Sequence, residues 1–246
     1  MRRISKNHLK EISKLQQKKF RQLQQQVVVE GVRLISQLEE YSYDILEIYT
    51  SEEGYIANNS NAAVYLLDEG QMGKICGTKS PQALAALVNL PQPQLEERGF
   101  LLYLDRITDP GNMGTIFRTA AAAGVDGIIL SEDCCDPFNP KSIRASLGSV
   151  FGIPYIQKDD NWLKEQEDML IATALENSED IFEAEIPTKN IILILGSEAF
   201  GIRNSILQAS HKIVKIPHFG KIESMNVGVA AGIAMFEICR KRYKTK

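Results

Sequence analysis

The sequence predicts an α/β protein in two parts: a C-terminal domain built on a parallel sheet, and a smaller N-terminal α/β domain. Three observations predict it. After Phe100, short apolar runs alternate with helical patterns, which implies parallel strands covered on both faces. The stretch Pro91-Gln92-Pro93-Gln94-Leu95-Glu96-Glu97-Arg98-Gly99 is polar and proline-punctuated, as linkers are. Three of the apolar runs end in polar, glycine-containing segments, which is where α/β sheets place ligands. The division is therefore 1–90, a linker over 91–99, and 100–246.

The elements follow in order. From Ser5 to about Gln26, Leu9, Ile12, Leu15 and Leu23 recur near helical spacing, with Ser5 or Asn7 available as a cap, so one amphipathic helix is expected. Val27-Val28-Val29-Glu30-Gly31 reads as a short strand, Val32 to Leu38 as a second helix, and Ile45–Tyr49 and Val64–Leu67 as strands separated by polar Asn58-Asn59-Ser60-Asn61. The αβαβ unit closes near Val88. Beyond the linker, strands are expected at Phe100–Leu104, Gly127–Leu130, Leu170–Ala174, Ile191–Leu195 and Ile213–Ile216. Helices are expected at Thr115–Ala123, Lys141–Leu147, Trp162–Glu167, Asn204–Ala209 and about Asn226–Lys241.

Bulk properties set the class. With 246 residues, 44% hydrophobic and 24% charged, the chain can bury one large core or two modest ones. No apolar run is long enough to span a bilayer, and the N-terminus continues into polar helical sequence, so a cytoplasmic protein is expected. Cys76, Cys134, Cys135 and Cys239 lack ligand-like spacing and read as reduced thiols. The net charge of −3 is unevenly spread: Arg2, Arg3, Lys6, Lys10, Lys14, Lys18, Lys19, Arg21 and Arg33 meet only Glu11 and Glu30. That segment is either the solvated face of a surface helix or a surface for a polyanion.

Three polar segments carry the chemistry. In Asp109-Pro110-Gly111-Asn112-Met113-Gly114, the proline and glycines set a tight turn and Asn112 can cap a helix that carries Arg118, whose planar fork suits a phosphate. Gly196-Ser197-Glu198 emerges from the buried run Ile191-Ile192-Leu193-Ile194, with Gly201 closing its loop. Ser224-Met225-Asn226 opens Val227-Gly228-Val229-Ala230-Ala231-Gly232, whose small residues permit close approach to other backbone or to a symmetry mate. Singly, each segment reads equally as caps and turns. No G-x-G-x-x-G follows a strand and no G-x-x-x-x-G-K-[ST] is present, which removes the main support for a dinucleotide or P-loop enzyme.

Taken together and in this order, the segments resemble the three motifs of the SpoU-type ribose 2'-O-methyltransferases, a branch of the SPOUT class that modifies ribosomal and transfer RNA. The first motif matches through Asn112, Gly114 and Arg118, the second through Gly196, Glu198 and Gly201, and the third through Pro217, Ser224, Asn226, Val227, Ala230 and Gly232. Asn139-Pro140-Lys141 with Arg144, Ser146, Gly148 and Ser149 is similar to the stretch after the family's second strand. Residues 1–90 are similar to its accessory RNA-binding domain through Ser5, Asn7, Lys18, Arg21 and Val29-Glu30-Gly31. His218-Phe219, Met225 and Pro81-Gln82-Ala83 depart from the usual pattern.

The resemblance implies a deep trefoil knot in the C-terminal domain, S-adenosylmethionine as cofactor, no metal, and a homodimer without membrane attachment. It places Thr173, Leu175, Gly196, Gly201, Ile216 and Met225 around the cofactor, and Arg118, Asn112, Glu198, Ser224 and Asn226 at the reacting ribose. A guanidinium is a poor base, so Arg118 is assigned to phosphate binding and the proton acceptor stays open. Ribosomal RNA is the expected substrate, with transfer RNA and a non-catalytic RNA-binding role as alternatives. The non-catalytic role would allow decay of Arg118, Glu198 or Asn226, yet all three stand.

Overall fold

Ser5 caps the first helix, its hydroxyl oxygen accepting from the His8 amide at 3.2 Å. In the computed structural model, which describes residues 1–55, 62–95, 99–187, 190–222 and 224–244, this helix α1 (Lys6–Lys14) follows a short strand β1 (Arg2–Arg3). The single helix expected from Ser5 to Gln26 is broken: α2 (Lys18–Gln24) starts anew after Gln17, whose backbone is extended. The cause is Arg21, only 2% exposed, whose Nη1 donates at 2.8 Å to the carbonyls of both Leu15 and Gln16. Those carbonyls leave the helical ladder to solvate a buried cation.

Next come β2 (Gln26–Glu30), α3 (Val32–Glu40), β3 (Ile45–Thr50), β4 (Ala63–Leu66), α4 (Glu69–Cys76) and β5 (Leu84–Asn89). The five strands form a mixed sheet in the order β1-β4-β3-β5-β2. Gly31 stands at φ +107 as the start of α3 rather than the end of a strand. Helix α4, marked in the sequence by the reciprocal Asp68/Gln71 capping box, and strands β1 and β5 lie outside the αβαβ reading. The loop at Asn58–Asn61 lies outside the described residues, as does part of the expected linker, residues 96–98.

The second stretch runs β6 (Phe100–Asp105), α5 (Pro110–Ala123), β7 (Gly127–Leu130), α6 (Pro140–Ser146), α7 (Ser149–Gly152), β8 (Tyr155–Gln157), α8 (Asp160–Lys164), β9 (Met169–Thr173), β10 (Glu179–Asp180), β11 (Ile191–Gly196), α9 (Asn204–Ala209), β12 (Lys212–Lys215) and α10 (Val227–Lys244). Every strand pair of this seven-stranded sheet is parallel, in the order β10-β12-β9-β11-β6-β7-β8. Strands β6 and β11 lie at its centre, buried along almost their whole length, which explains their unbroken apolar runs. Short β8, β10 and α7 carry too little pattern to be read from sequence.

Two compact units result: Met1–Gln92 with Asp136–Phe151, and Pro93–Cys135 with Gly152–Lys246. The segment Asp136–Phe151, which the sequence groups with the C-terminal strands, packs within the first unit. Asp136 accepts from buried Arg21, and Arg144 lies 3.7 Å from Glu30. Phe151 meets Tyr43 and Phe138 edge to face, with ring centroids 5.4 Å apart in each pair. Among the described residues no helix is long and apolar enough to cross a membrane.

Arg21 carries this local structure, so Arg21→Ala should lower the stability of the first unit by about 3–5 kcal/mol, because it strands Asp136 and two carbonyls. Thermal unfolding of Arg21→Ala, Asp136→Ala and the double variant checks it; the double variant should lose much less than the sum of the two.

Candidate active site

The chain order β6, β7, β8 runs to one side of β6, and then β9 and β11 fill in on the other. Strands β6 and β11 therefore flank the point where the winding reverses, and a crevice opens there beyond their carboxyl ends. Asp105 and Gly196, the last residues of the two strands, are direct register partners. The segments that follow them lead to Asn112 and Glu198.

Helix α5 begins at Pro110, and its cap is Asp109, whose side chain accepts from the Asn112 amide at 2.9 Å. Asn112 is thus not the cap that the sequence suggested. Capping by Asp109 leaves the Asn112 side chain available, and it turns to Glu198. Asn112 Nδ2 donates to both carboxylate oxygens of Glu198, at 2.9 and 3.0 Å. Asn226 Nδ2 donates to Glu198 Oε1 at 2.8 Å and to Asn112 Oδ1 at 2.9 Å. The Val227 amide adds a further bond to Glu198 Oε1 at 3.0 Å.

Asn226 in turn starts α10: its Oδ1 accepts from the Gly228 and Val229 amides at 3.0 and 3.2 Å. One carboxylate so fastens the starts of two helices to the end of a central strand. Val227, matched in the third motif but given no role in the site, contributes its backbone amide, which its side-chain type does not signal.

The loop that presents Glu198 is held by its glycines. A Cβ on Gly196 would sit 2.3 Å from the carbonyl carbon of Gly201 and 2.5 Å from the Ile202 nitrogen, so the strand end and the loop's return pack backbone to backbone. Ser197 and Gly201 form a bridge, the Gly201 amide donating to the Ser197 carbonyl at 2.8 Å. Gly201 has φ +61, and a side chain built there would meet nothing within 4 Å. This face of the loop is open.

Thr173, Gly196 and Ile216 lie at the ends of β9, β11 and β12, three neighbouring strands. Thr173 Oγ1 donates to the Ile194 carbonyl at 3.0 Å, tying β9 to β11. Half-exposed Leu175 lies just past β9, and Met225 lies beside Asn226. The structure therefore brings Asn112, Glu198 and Asn226 into one hydrogen-bonded cluster and sets Thr173, Leu175, Gly196, Gly201 and Ile216 along the same sheet edge. Ser224 is exposed and joins no hydrogen bond in the cluster.

Arg118 stands apart. It is exposed on α5, six residues beyond Asn112, which is about 9 Å along the axis and about 120° around it. The α5–α10 contact uses a neighbouring part of the helix surface: a Cβ on Gly228 would lie 3.0 Å from Thr115 Cγ2, and one on Gly232 would lie 3.4 Å from Thr119 Cγ2. Both hydroxyls bond back within α5, to Gly111 and Thr115 carbonyls at 2.9 and 2.8 Å, which leaves their methyl groups for the glycines. The small-residue stripe of α10 is spent inside the chain.

A charged cluster supports the same edge. Asp105, fully buried, accepts from the Arg203 amide at 2.8 Å and lies 3.4 Å from Arg203 Nε. Arg203 also donates to Asp133 and, at 2.9 Å, to Asp160, which accepts from Ser205 at 3.0 Å. Burial alone would raise the Asp160 carboxyl, but hydrogen bonds from Ser205 and Arg203 outweigh it and hold the group below its ordinary value.

A parallel sheet with a polar cluster at its reversal point is the arrangement in which α/β proteins receive ligands beyond the strand ends. Residues 99–236 match the SpoU rRNA Methylase family, and residues 6–86 match the MRM3-like substrate binding domain. The chain belongs to the SpoU rRNA methylase family. It is 31% identical to a Bacillus subtilis protein, 23S rRNA (guanosine(2553)-2'-O)-methyltransferase RlmP, over 94% of this chain and 95% of that one. Its fold is similar to the AdoMet-bound rRNA methyltransferase of Sinorhizobium meliloti, with a TM-score of 0.85 at 29% identity over 97% of each chain. A putative RNA methyltransferase of the TrmH family from Porphyromonas gingivalis gives a TM-score of 0.85 at 29% identity, over 98% of this chain and 100% of that one.

Glu198→Ala should leave three donor groups without their acceptor and cost about 1–3 kcal/mol of local stability, seen as faster amide exchange at the starts of α5 and α10 than in Glu198→Gln. The depressed Asp160 group contributes stability above its unfolded value near pH ~4, and that contribution is lost as pH falls through the folded value. Acid unfolding followed by circular dichroism should begin at higher pH in Asp160→Asn than in wild type, and the fall of wild-type stability below about pH 4 should be shallower in the variant.

Proposed function

We propose that this chain is an S-adenosylmethionine-dependent methyltransferase that methylates a ribose 2'-hydroxyl of ribosomal RNA. The observation that carries the reading is the Asn112–Glu198–Asn226 cluster, three distant residues hydrogen-bonded at the reversal point of the sheet in a member of the SpoU family. A relative named as a ribosomal RNA 2'-O-methyltransferase along nearly its whole length, and an AdoMet-bound structural neighbour, support the substrate and the cofactor. Ribosomal RNA as substrate supports a cytoplasmic location.

The strand-end residues suit the cofactor. Gly201 leaves open space where a side chain would stand, and Leu175, Ile216 and Met225 supply apolar surface without a phosphate-binding glycine loop. Thr173, Leu175, Gly196, Gly201, Ile216 and Met225 would hold the adenosyl and amino-acid parts, largely by backbone. When bound, S-adenosylmethionine supplies an electrophilic methyl group on a sulfonium that leaves as a neutral thioether.

The protein's own work is positional. Glu198 spends its oxygens on Asn112, Asn226 and the Val227 amide, so it acts as a positioning residue, not as the proton acceptor. Asn112 and Asn226 fix the edge against which the ribose is set for in-line attack. Exposed Ser224 adds a hydroxyl beside them. Arg118 binds the target phosphate and stabilises the developing oxyanion.

Arg118 points from a different side of α5 than Asn112, and this supports a homodimer in which each Arg118 serves the partner's cluster. On α10, which packs on α5, Val229 and Phe236 are half exposed. Ala121, Ala122, Gly124, Phe236 and Arg240 line a hollow of about 420 Å³ between α5 and α10. This apolar surface suits a second copy. The accessory unit, with its basic first segment, would grip the RNA, and the trefoil knot is proposed with the family's fold.

Calorimetry should show one S-adenosylmethionine bound per chain; no binding by folded protein would sink the enzymatic reading. Arg118→Ala should keep that affinity while methyl transfer to ribosomal RNA falls at least about a hundredfold. Mixing inactive Arg118→Ala with inactive Glu198→Ala should restore about a quarter of wild-type activity if the site is shared across a dimer with free exchange, and none if each chain works alone.

A further inference from the structure

Phe200 sits two residues past Glu198, on the loop that the Ser197–Gly201 bridge closes, and is 74% exposed. A phenylalanine so placed contributes almost nothing to the core. Its backbone is nevertheless fixed, because its amide donates to Ser197 Oγ at 3.2 Å. Arg106 reaches it: its guanidinium carbon lies 5.5 Å from the ring centroid, within cation–π range.

Arg106 is itself in an unusual position. It follows Asp105 at the end of β6 and holds φ +58, a conformation that side chains with a Cβ rarely adopt. The conformation is anchored at both ends of the residue: its amide donates to Ser131 Oγ at 2.9 Å, and its Nη2 donates to the Gly201 carbonyl at 3.3 Å. The fold thus holds a planar cation across the rim of the crevice, beside an aromatic ring whose remaining surface faces water. Non-glycine residues forced into this backbone region cluster at functional sites.

We infer that Arg106 and Phe200 form a stacking platform for an unpaired nucleobase of the RNA, next to the ribose that the Asn112–Glu198–Asn226 cluster receives. A base has a π-face that the exposed ring can cover, and the guanidinium beside it adds cation–π attraction and charge toward the nearby phosphate. The platform seats the nucleotide outside a duplex, where its 2'-hydroxyl is accessible, and it acts at the RNA without touching the cofactor. This inference rests on the RNA-methyltransferase reading.

The test uses the full-length protein and ribosomal RNA. Phe200→Ala should raise the KM for RNA roughly tenfold, the loss expected for one stacked base, while its S-adenosylmethionine affinity by calorimetry stays within about twofold of wild type. Phe200→Tyr should restore the wild-type KM. In Phe200→Trp carrying Trp162→Phe, single-stranded oligoribonucleotide should quench the new indole fluorescence, and Arg106→Lys should weaken that quenching because the ammonium cannot lie flat on the ring. An unchanged KM in Phe200→Ala, or an indole whose emission ignores bound RNA, would overturn the platform and leave the methyltransferase standing. A wild-type protein that binds the cofactor but transfers no methyl group to RNA would overturn both.

Discussion

The register of β6 against β11 is the constraint on which the rest of the catalytic unit depends. Six consecutive residue pairs, from Phe100 with Ile191 to Asp105 with Gly196, bring the two central strands to an end at the same height. Parallel strands that finish together deliver both following segments to one side of the sheet, and side chains 86 positions apart in the chain then meet at 2.9 Å. A slip of one residue would turn Asp105 and Gly196 to the opposite face and separate Asn112 from Glu198. The unbroken apolar runs bury both strands, and polar contacts at their ends, such as the Arg203 amide on Asp105 and the Phe100 amide on Asp126, hold the register.

Glu198 converts that register into a site. A carboxylate with two oxygens can satisfy several donors at once, and here it takes two bonds from Asn112 and one each from Asn226 and the Val227 amide. Because the last of these lies at the start of α10, the same group orients the helix whose glycines rest on Thr115 and Thr119. Site geometry and helix packing are coupled through one side chain. The Arg203 cluster with Asp105, Asp133 and Asp160 acts in parallel, fixing the β6 end from its other side.

Much of this was legible in the sequence. Ile191-Ile192-Leu193-Ile194 and the run from Phe100 announced buried parallel strands, and helix Asn204–Ala209 falls where it was expected. The order of the three polar segments suggested one site, although only their likeness to a known family joined them, because nothing in spacing says that Asn112 and Glu198 touch. The misread features have physical reasons. Asp109 and Asn112 are equally good caps by residue type, and the choice depends on where the helix begins. The break after Leu15 depends on Arg21, whose burial follows from Asp136 more than a hundred residues away, and the same pair explains why Asp136–Phe151 joins the first unit. Arg106 carries no sign of its positive φ, which in a sequence only glycine advertises.

In the proposed function, the Glu198-centred cluster organises methyl transfer to a ribosomal ribose. Mapping of ribose 2'-O-methylation across ribosomal RNA tests it most directly, in cells lacking the gene and in the same cells supplied with wild type or Glu198→Ala. One methylated position should disappear with the gene, return with wild type, and stay absent with Glu198→Ala protein present at wild-type levels. A methylation pattern unchanged by deletion, or fully restored by Glu198→Ala, would contradict it.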